Sequence, residues 1–210
     1  MTTTRFWLIR HALVDPEARK ILYGDQDVPV CAETMTAQEA AYAALGKRLP
    51  QPAHWFVTPL SRTRLTAEAI FAGGYPAQTL GVEAGMIEQS FGHLQGTENA
   101  VLHTRLTLPK HDFWPTSPLE RPHEGESFED VIGRVGHTIE RLAQAHADED
   151  LVIVCHGGTI RAAMAHALGI KGESALRLTV GNISLTRIER RGDAWRVVSA
   201  NETMNGVPAF

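Results

Sequence analysis

The chain has 210 residues, 43% hydrophobic, 21% charged and 7% aromatic, a balance that fits one well-filled domain over residues 1–210 and excludes disordered, collagen-like and coiled-coil classes. Twenty Lys and Arg against 24 Asp and Glu leave a net charge of -4, so neither a nucleic acid nor an anionic membrane is expected as a partner. Any anion must be held by a local cluster of cations. The two cysteines, Cys31 and Cys155, are too few and too far apart for a disulfide framework or a thiolate metal site. The first apolar run, Phe6 to Ile9, is broken at once by Arg10 and His11, too early for a secretory core. The expected setting is the cytoplasm.

In chain order, Phe6 to Ile9 reads as a strand. Thr36 to Leu49 has a helical period through Ala40, Ala44, Leu45 and Leu49, with Pro50 to end it. Trp55 to Val57 is a second strand. Arg62 to Phe71 repeats Leu65, Ala69 and Ile70 at helical spacing and closes on Gly73-Gly74. Thr79 to Val82 reads as a third strand. Residues 92–125, rich in Pro and His, read as a lid-like insertion. Ser127 caps a helix to His146 with Phe128, Val131, Val135, Ile139 and Leu142 on one stripe. Leu151 to Cys155 is a continuous apolar strand of the kind buried on both faces, and Thr159 to Leu168 is a helix ended by Gly169. Ile183 to Ile188 and Trp195 to Ala200, around Arg191-Gly192-Asp193, read as a hairpin. This alternation predicts an α/β fold, a three-layer α/β/α sandwich around a mostly parallel sheet.

Ligands of such sheets collect outside the carboxyl ends of the strands. Strand one ends at Arg10-His11, the long strand at Cys155-His156-Gly157-Gly158, and Trp55 to Val57 delivers Arg62 to the same edge. Two arginine forks match phosphate oxygens, and amides at Gly157 and Gly158 opening a helix add donors. A neutral imidazole whose other ring nitrogen is tied up can attack phosphorus. A carboxylic acid such as Glu88 can protonate the departing oxygen.

Leu8-Ile9-Arg10-His11-Ala12, Pro59-Leu60-Ser61-Arg62 with Thr66-Ala67-Glu68, Glu88 ahead of Phe91-Gly92, Gly125-Glu126-Ser127 and Cys155-His156-Gly157-Gly158-Thr159-Ile160-Arg161 follow one another as in a known family. The chain thereby resembles the histidine phosphatase superfamily, also called phosphoglycerate mutase-like. Its size and the Gly24 to Pro29 loop resemble the small bacterial α-ribazole phosphate phosphatases. The resemblance implies His11 as the nucleophile, Glu88 as general acid and then base, and Arg10, Arg62 and His156 as the phosphate pocket, with Gly157 and Gly24 beside the substrate. It implies no metal and no cofactor, and a small phosphorylated metabolite as the ligand. Two further readings stay open, a phosphoglycerate mutase and a non-catalytic phosphate-ligand binding protein. The oligomeric state is open as well, a homodimer included.

The chain departs from the family after His11, where Ala12-Leu13-Val14 replace its usual Gly and polar residues. Ala12 is tolerated if its φ is negative, and Arg19 or Lys20 are candidates to replace lost phosphate contacts. Alone, Arg62 would read as an exposed helix-start residue. Cys155 reads as buried and inert, because strand neighbours point to opposite faces. His103, His111 and His123 lack metal-ligand spacing, and Phe113 and Trp114 read as anchors of the insertion.

Overall fold

Alternating side chains on short strands decide the architecture. The computed structural model describes residues 2–204; residue 1 and residues 205–210 of the domain expected over 1–210 lie outside the described residues. In chain order the elements are β1 (Thr3–Arg10), α1 (Ala32–Ala37), α2 (Glu39–Arg48), β2 (His54–Val57), α3 (Ser61–Ala72) and β3 (Leu80–Val82). They are followed by α4 (Phe128–Ala145), β4 (Asp150–Cys155), α5 (Gly157–Leu168), α6 (Gly172–Ala175), β5 (Leu185–Arg191) and β6 (Ala194–Glu202).

The sheet runs β3-β2-β4-β1-β5-β6. The first four strands are mutually parallel, β5 runs antiparallel to β1, and β6 pairs antiparallel with β5. On one face Phe6, Leu8, Leu151, Ile153 and Cys155 pack against α4 and α5. On the other Ile9, Trp55, Val57, Val152 and Val154 pack against α2 and α3. The period of two along each strand thus divides the apolar side chains between two cores, the three-layer α/β/α arrangement. Each such aliphatic side chain contributes about 1.5–3 kcal/mol on burial.

The amphipathic stripe of α4 is buried along its length. Its start is fixed by a capping box in which Ser127 Oγ accepts from the Asp130 amide and the Asp130 carboxylate accepts from the Ser127 amide. No helix among the described residues is long and apolar enough to cross a membrane.

Four expectations need correction. The helix over Thr36 to Leu49 is two helices: the chain breaks at Gln38, and α1, which buries no residue, precedes α2. In α2 the buried face is Ala41, Tyr42 and Leu45, while Ala40 is exposed. In α3 Leu65 is exposed, and the buried stripe is Arg62, Thr63, Thr66, Ala67 and Ile70; it is polar near its start because that end faces the strand termini. The helix after β4 begins at Gly157 rather than Thr159, which makes His156 its N-cap residue.

Residues 92–125 contain only short 3₁₀ turns, at Gly92–Leu94 and Leu102–Arg105. They are held by a small apolar cluster of Leu22, Phe91, Leu94 and Leu102. Trp114 anchors this segment, packing on Phe91 and Phe128 and donating from Nε1 to Gln89 Oε1 at 2.9 Å. Phe113 does not, being 63% exposed.

Candidate active site

Because β1, β2 and β4 run in parallel, their carboxyl ends deliver His11, Thr58 and His156 to one edge of the sheet. The antiparallel β5 starts at that same edge. The Ile183 amide donates to Arg10 O at 2.9 Å, and the preceding Asn182 donates from Nδ2 to His11 O at 2.8 Å. Ile183 itself has φ +49°, a strained value for a β-branched residue, and it is fully buried.

His11 is 2% exposed. Its Nδ1 lies 2.7 Å from Ala12 O, and a carbonyl can only accept, so Nδ1 carries the proton and Nε2 keeps the lone pair. The Ala12 amide donates to Thr66 Oγ1 at 2.8 Å. Ala12 is not among the residues of positive φ, so it meets the condition for replacing glycine. The His11 and His156 rings lie 5.1 Å apart. Burial, then the charges of Arg62 and Arg10, hold the His11 pKa well below the ordinary 6.5. Burial followed by His11, Arg62 and Arg10 does the same to His156. Both imidazoles are therefore neutral near pH 7.

His156 Nε2 lies 2.9 Å from Thr58 Oγ1, and its buried Nδ1 has no partner. Arg62, far from being an exposed helix-start residue, is fully buried. It donates to Gly24 O at 2.8 Å and Gln26 O at 2.7 Å, lies over the Tyr23 ring, and leaves Nε unpaired. Arg10 donates to Val180 O at 2.6 Å, and its buried Nε is unpaired too. These three buried nitrogens without partners, on groups that feel one another's charge, are donors suited to an oxyanion.

Glu88 sits opposite, 9% exposed, on the loop after β3. Its Oε1 accepts from its neighbour Gln89 and its Oε2 from the Gly158 amide at 3.1 Å. This loop is clamped by Arg134, which pairs with Glu126 and donates to Gly85 O and Ile87 O. Gly24 has φ +49°, and a Cβ there would lie 2.6 Å from Gln95 Oε1 and 2.8 Å from Gln89 O. Glycine is thus required at 24 by both conformation and space.

A cleft of about 280 Å³ opens above these groups. Arg10, Gly24, Glu88, Gly157 and Asn182 form its polar end, and Leu13, Val14, Trp114 and Pro115 are among its apolar walls. Arg19 lines it too; Lys20 does not, its ammonium being taken by Glu17 at 2.7 Å. His11, Arg62 and His156 are buried next to the polar end rather than in the cleft wall. Sequence reasoning did not find Asn182 and gave no role to Thr58. It quoted Thr66 and Arg161 in motifs without a role. Arg161 stacks over Trp114 and donates to Leu178 O and Gly157 O, and burial lowers its pKa to about 10. Cys155 is buried, and burial pushes its thiol pKa up.

Elsewhere His54, His146 and Glu149 converge at the opposite ends of the strands, with Glu149 Oε2 3.0 Å from His54 Nε2 and 2.9 Å from His146 Nδ1. Shared hydrogen bonding to one carboxylate accounts for that cluster.

A family model described as histidine phosphatase superfamily, branch 1, matches residues 6–203. A protein of Hydrogenobacter thermophilus provisionally named phosphoserine phosphatase 2 is 27% identical over 203 residues, covering 94% of this chain and 95% of its own length. A protein of Escherichia coli O1:K1 provisionally named phosphoglycerate mutase GpmB is 26% identical over 197 residues, covering 90% and 86%. Among solved structures, a mycobacterial glucosyl-3-phosphoglycerate phosphatase in complex with vanadate superposes with a TM-score of 0.76 at 26% identity, covering 95% and 99% of the two chains.

Proposed function

The chain belongs to the histidine phosphatase superfamily, branch 1, and from that membership we propose that it is a phosphomonoesterase acting on a small phosphorylated metabolite through a phosphohistidine on His11. The observation that carries this reading is a buried imidazole with Nδ1 fixed to Ala12 O, beside the unpaired nitrogens of Arg10, Arg62 and His156.

In this cycle the phosphoryl oxygens of the ester dianion accept from Arg10, Arg62 and His156, whose Nδ1 is a donor when Thr58 donates to Nε2. His11 Nε2 then attacks phosphorus in line. The bond from phosphorus to the ester oxygen breaks, and Glu88, as the acid, gives its proton to the departing alkoxide. Water next attacks the phosphohistidine while the Glu88 carboxylate takes its proton. The P–N bond breaks, phosphate leaves, and the lone pair returns to His11. The two guanidinium charges meet the charge that develops on the transferring phosphoryl group, so the reaction calls for neither a metal nor a cofactor.

A second reading, phosphoglycerate mutase-type transfer, is supported by the name of the E. coli relative. It needs a phosphoenzyme shielded from water by a larger enclosing insertion, whereas residues 92–125 form one modest wall. Steady hydrolysis of p-nitrophenyl phosphate, lost in His11→Ala, supports the hydrolase; its absence with intact phosphate binding supports the binding-protein alternative. Conversion of 3-phosphoglycerate that depends on a 2,3-bisphosphoglycerate primer and outpaces phosphate release supports the mutase.

A further inference from the structure

The cleft beyond the phosphoryl pocket has a composition that the proposed chemistry does not call for. Leu13 and Val14, which stand where the family pattern is polar, face it, and Ile21, Trp114 and Pro115 continue the apolar lining. Reaction with phosphorus needs none of these groups. They remove apolar surface from water only if the substrate brings apolar surface to them.

At the rim of the same cleft stands Arg19, an exposed cation. The acids nearest in sequence are engaged elsewhere: Glu17 pairs with Lys20, and Asp15 Oδ1 accepts from the Glu17 amide. Among the described residues the Arg19 guanidinium has no ion pair or hydrogen bond. Its backbone, by contrast, is held firmly. Asn99 donates from Nδ2 to Arg19 O at 2.8 Å and from its amide to Lys20 O at 2.9 Å, and the Arg19 amide donates to Asp15 O. A fixed backbone carrying an unpaired fork, beside an apolar wall and on the cleft that holds Arg10 and Glu88, is a preorganised site for a second anion.

Resting on the phosphomonoesterase reading, we propose that the substrate is a phosphomonoester of an alcohol with an apolar, ring-sized body that carries a second anionic group at its far end, bound by Arg19. Trp114 and Leu13 clasp the body. A volume of about 280 Å³ accommodates a phosphoryl group, one ring and a terminal anion.

The test compares kcat/KM for ethyl, benzyl and 4-carboxybenzyl phosphate, three primary alkyl esters with similar leaving groups, on the full chain and on Arg19→Gln and Leu13→Asn, with p-nitrophenyl phosphate as the reference for turnover. The expected order is 4-carboxybenzyl over benzyl over ethyl, each step about tenfold, the value of one good contact. In Arg19→Gln the ratio of 4-carboxybenzyl to benzyl falls to near one, and in Leu13→Asn the ratio of benzyl to ethyl shrinks. p-Nitrophenyl phosphate turned over with all three alkyl esters equal, or a carboxylate preference that survives Arg19→Gln, overturns this inference and leaves the phosphatase reading standing. Failure to hydrolyse any of the four compounds overturns both.

Discussion

The Gly158 amide, in the first turn of α5, donates to Glu88 Oε2 at 3.1 Å. The bond ties the loop that follows β3 to the helix that His156 caps, joining the proposed acid to one wall of the phosphoryl pocket. If Glu88 supplies the proton for the departing alkoxide, Glu88→Gln lowers kcat by about 10²–10⁴-fold on alkyl phosphates. The loss in the first step is smaller for p-nitrophenyl phosphate, whose leaving group needs no proton. Pre-steady-state release of p-nitrophenol checks this, with a burst followed by slow turnover expected in the variant. An equal loss of the burst and of alkyl ester cleavage would take Glu88 out of that role.

The same contact leaves no room at position 158. A Cβ there would lie 2.4 Å from Glu88 Oε1 and 3.1 Å from the Trp114 ring. Gly158→Ala should displace the carboxylate and cost about 10²-fold in kcat without unfolding the chain. Circular dichroism and kcat measured on the same sample separate the two effects.

The acid limb of activity should lie low. Burial and the Arg62 and Arg10 charges hold the folded His11 pKa well below 6.5, and His156 is shifted in the same direction. Between the folded and unfolded values the unfolded chain binds more protons, so stability is full above about pH 6.5 and falls as the pH drops below it. With a substrate whose own ionisation is corrected for, protonation of His11 takes nothing from kcat/KM as the pH falls through 6.5. The thermal midpoint meanwhile declines on acidification, and less steeply in His11→Asn. An acid limb at or above pH 6.5 would contradict a neutral, depressed His11.

Asn182 positions His11 without touching phosphorus, through the 2.8 Å bond to the His11 carbonyl. Asn182→Ala should lower kcat about tenfold, a loss of about 1.4 kcal/mol in the transition state, and Asn182→Asp should not restore it, because a carboxylate cannot donate. A merely structural role would move the thermal midpoint and leave the burst rate intact.

Much of this site was legible because the parallel strands carry their chemistry at their ends. Arg10-His11 and Cys155-His156 follow apolar runs that could only be strands, and parallel pairing sends both to one edge. Ser127 and the apolar stripe from Phe128 to Leu142 announced α4 as clearly. Other features had no local signal. Gly157 and Gly158 are poor helix formers, so the α5 start was read two residues late, although the Gly158 amide of that turn is what holds Glu88. Nothing at Gln38 breaks the Ala-rich period, yet the chain turns there. Arg62 is buried because the carbonyls of Gly24 and Gln26 and the Tyr23 ring surround it, partners that sequence spacing does not reveal. Asn182 reaches the site only because β5 begins where β1 ends.

The most direct measurement is acid- and alkali-quenched trapping of the enzyme during turnover of a ³²P-labelled phosphomonoester. A phosphoenzyme that is acid-labile and alkali-stable, approaching one per chain, mapping to His11 and absent from His11→Ala, is the expected result. Sustained hydrolysis with no trapped phosphoenzyme, or an acid-labile label persisting in His11→Ala, would contradict the account.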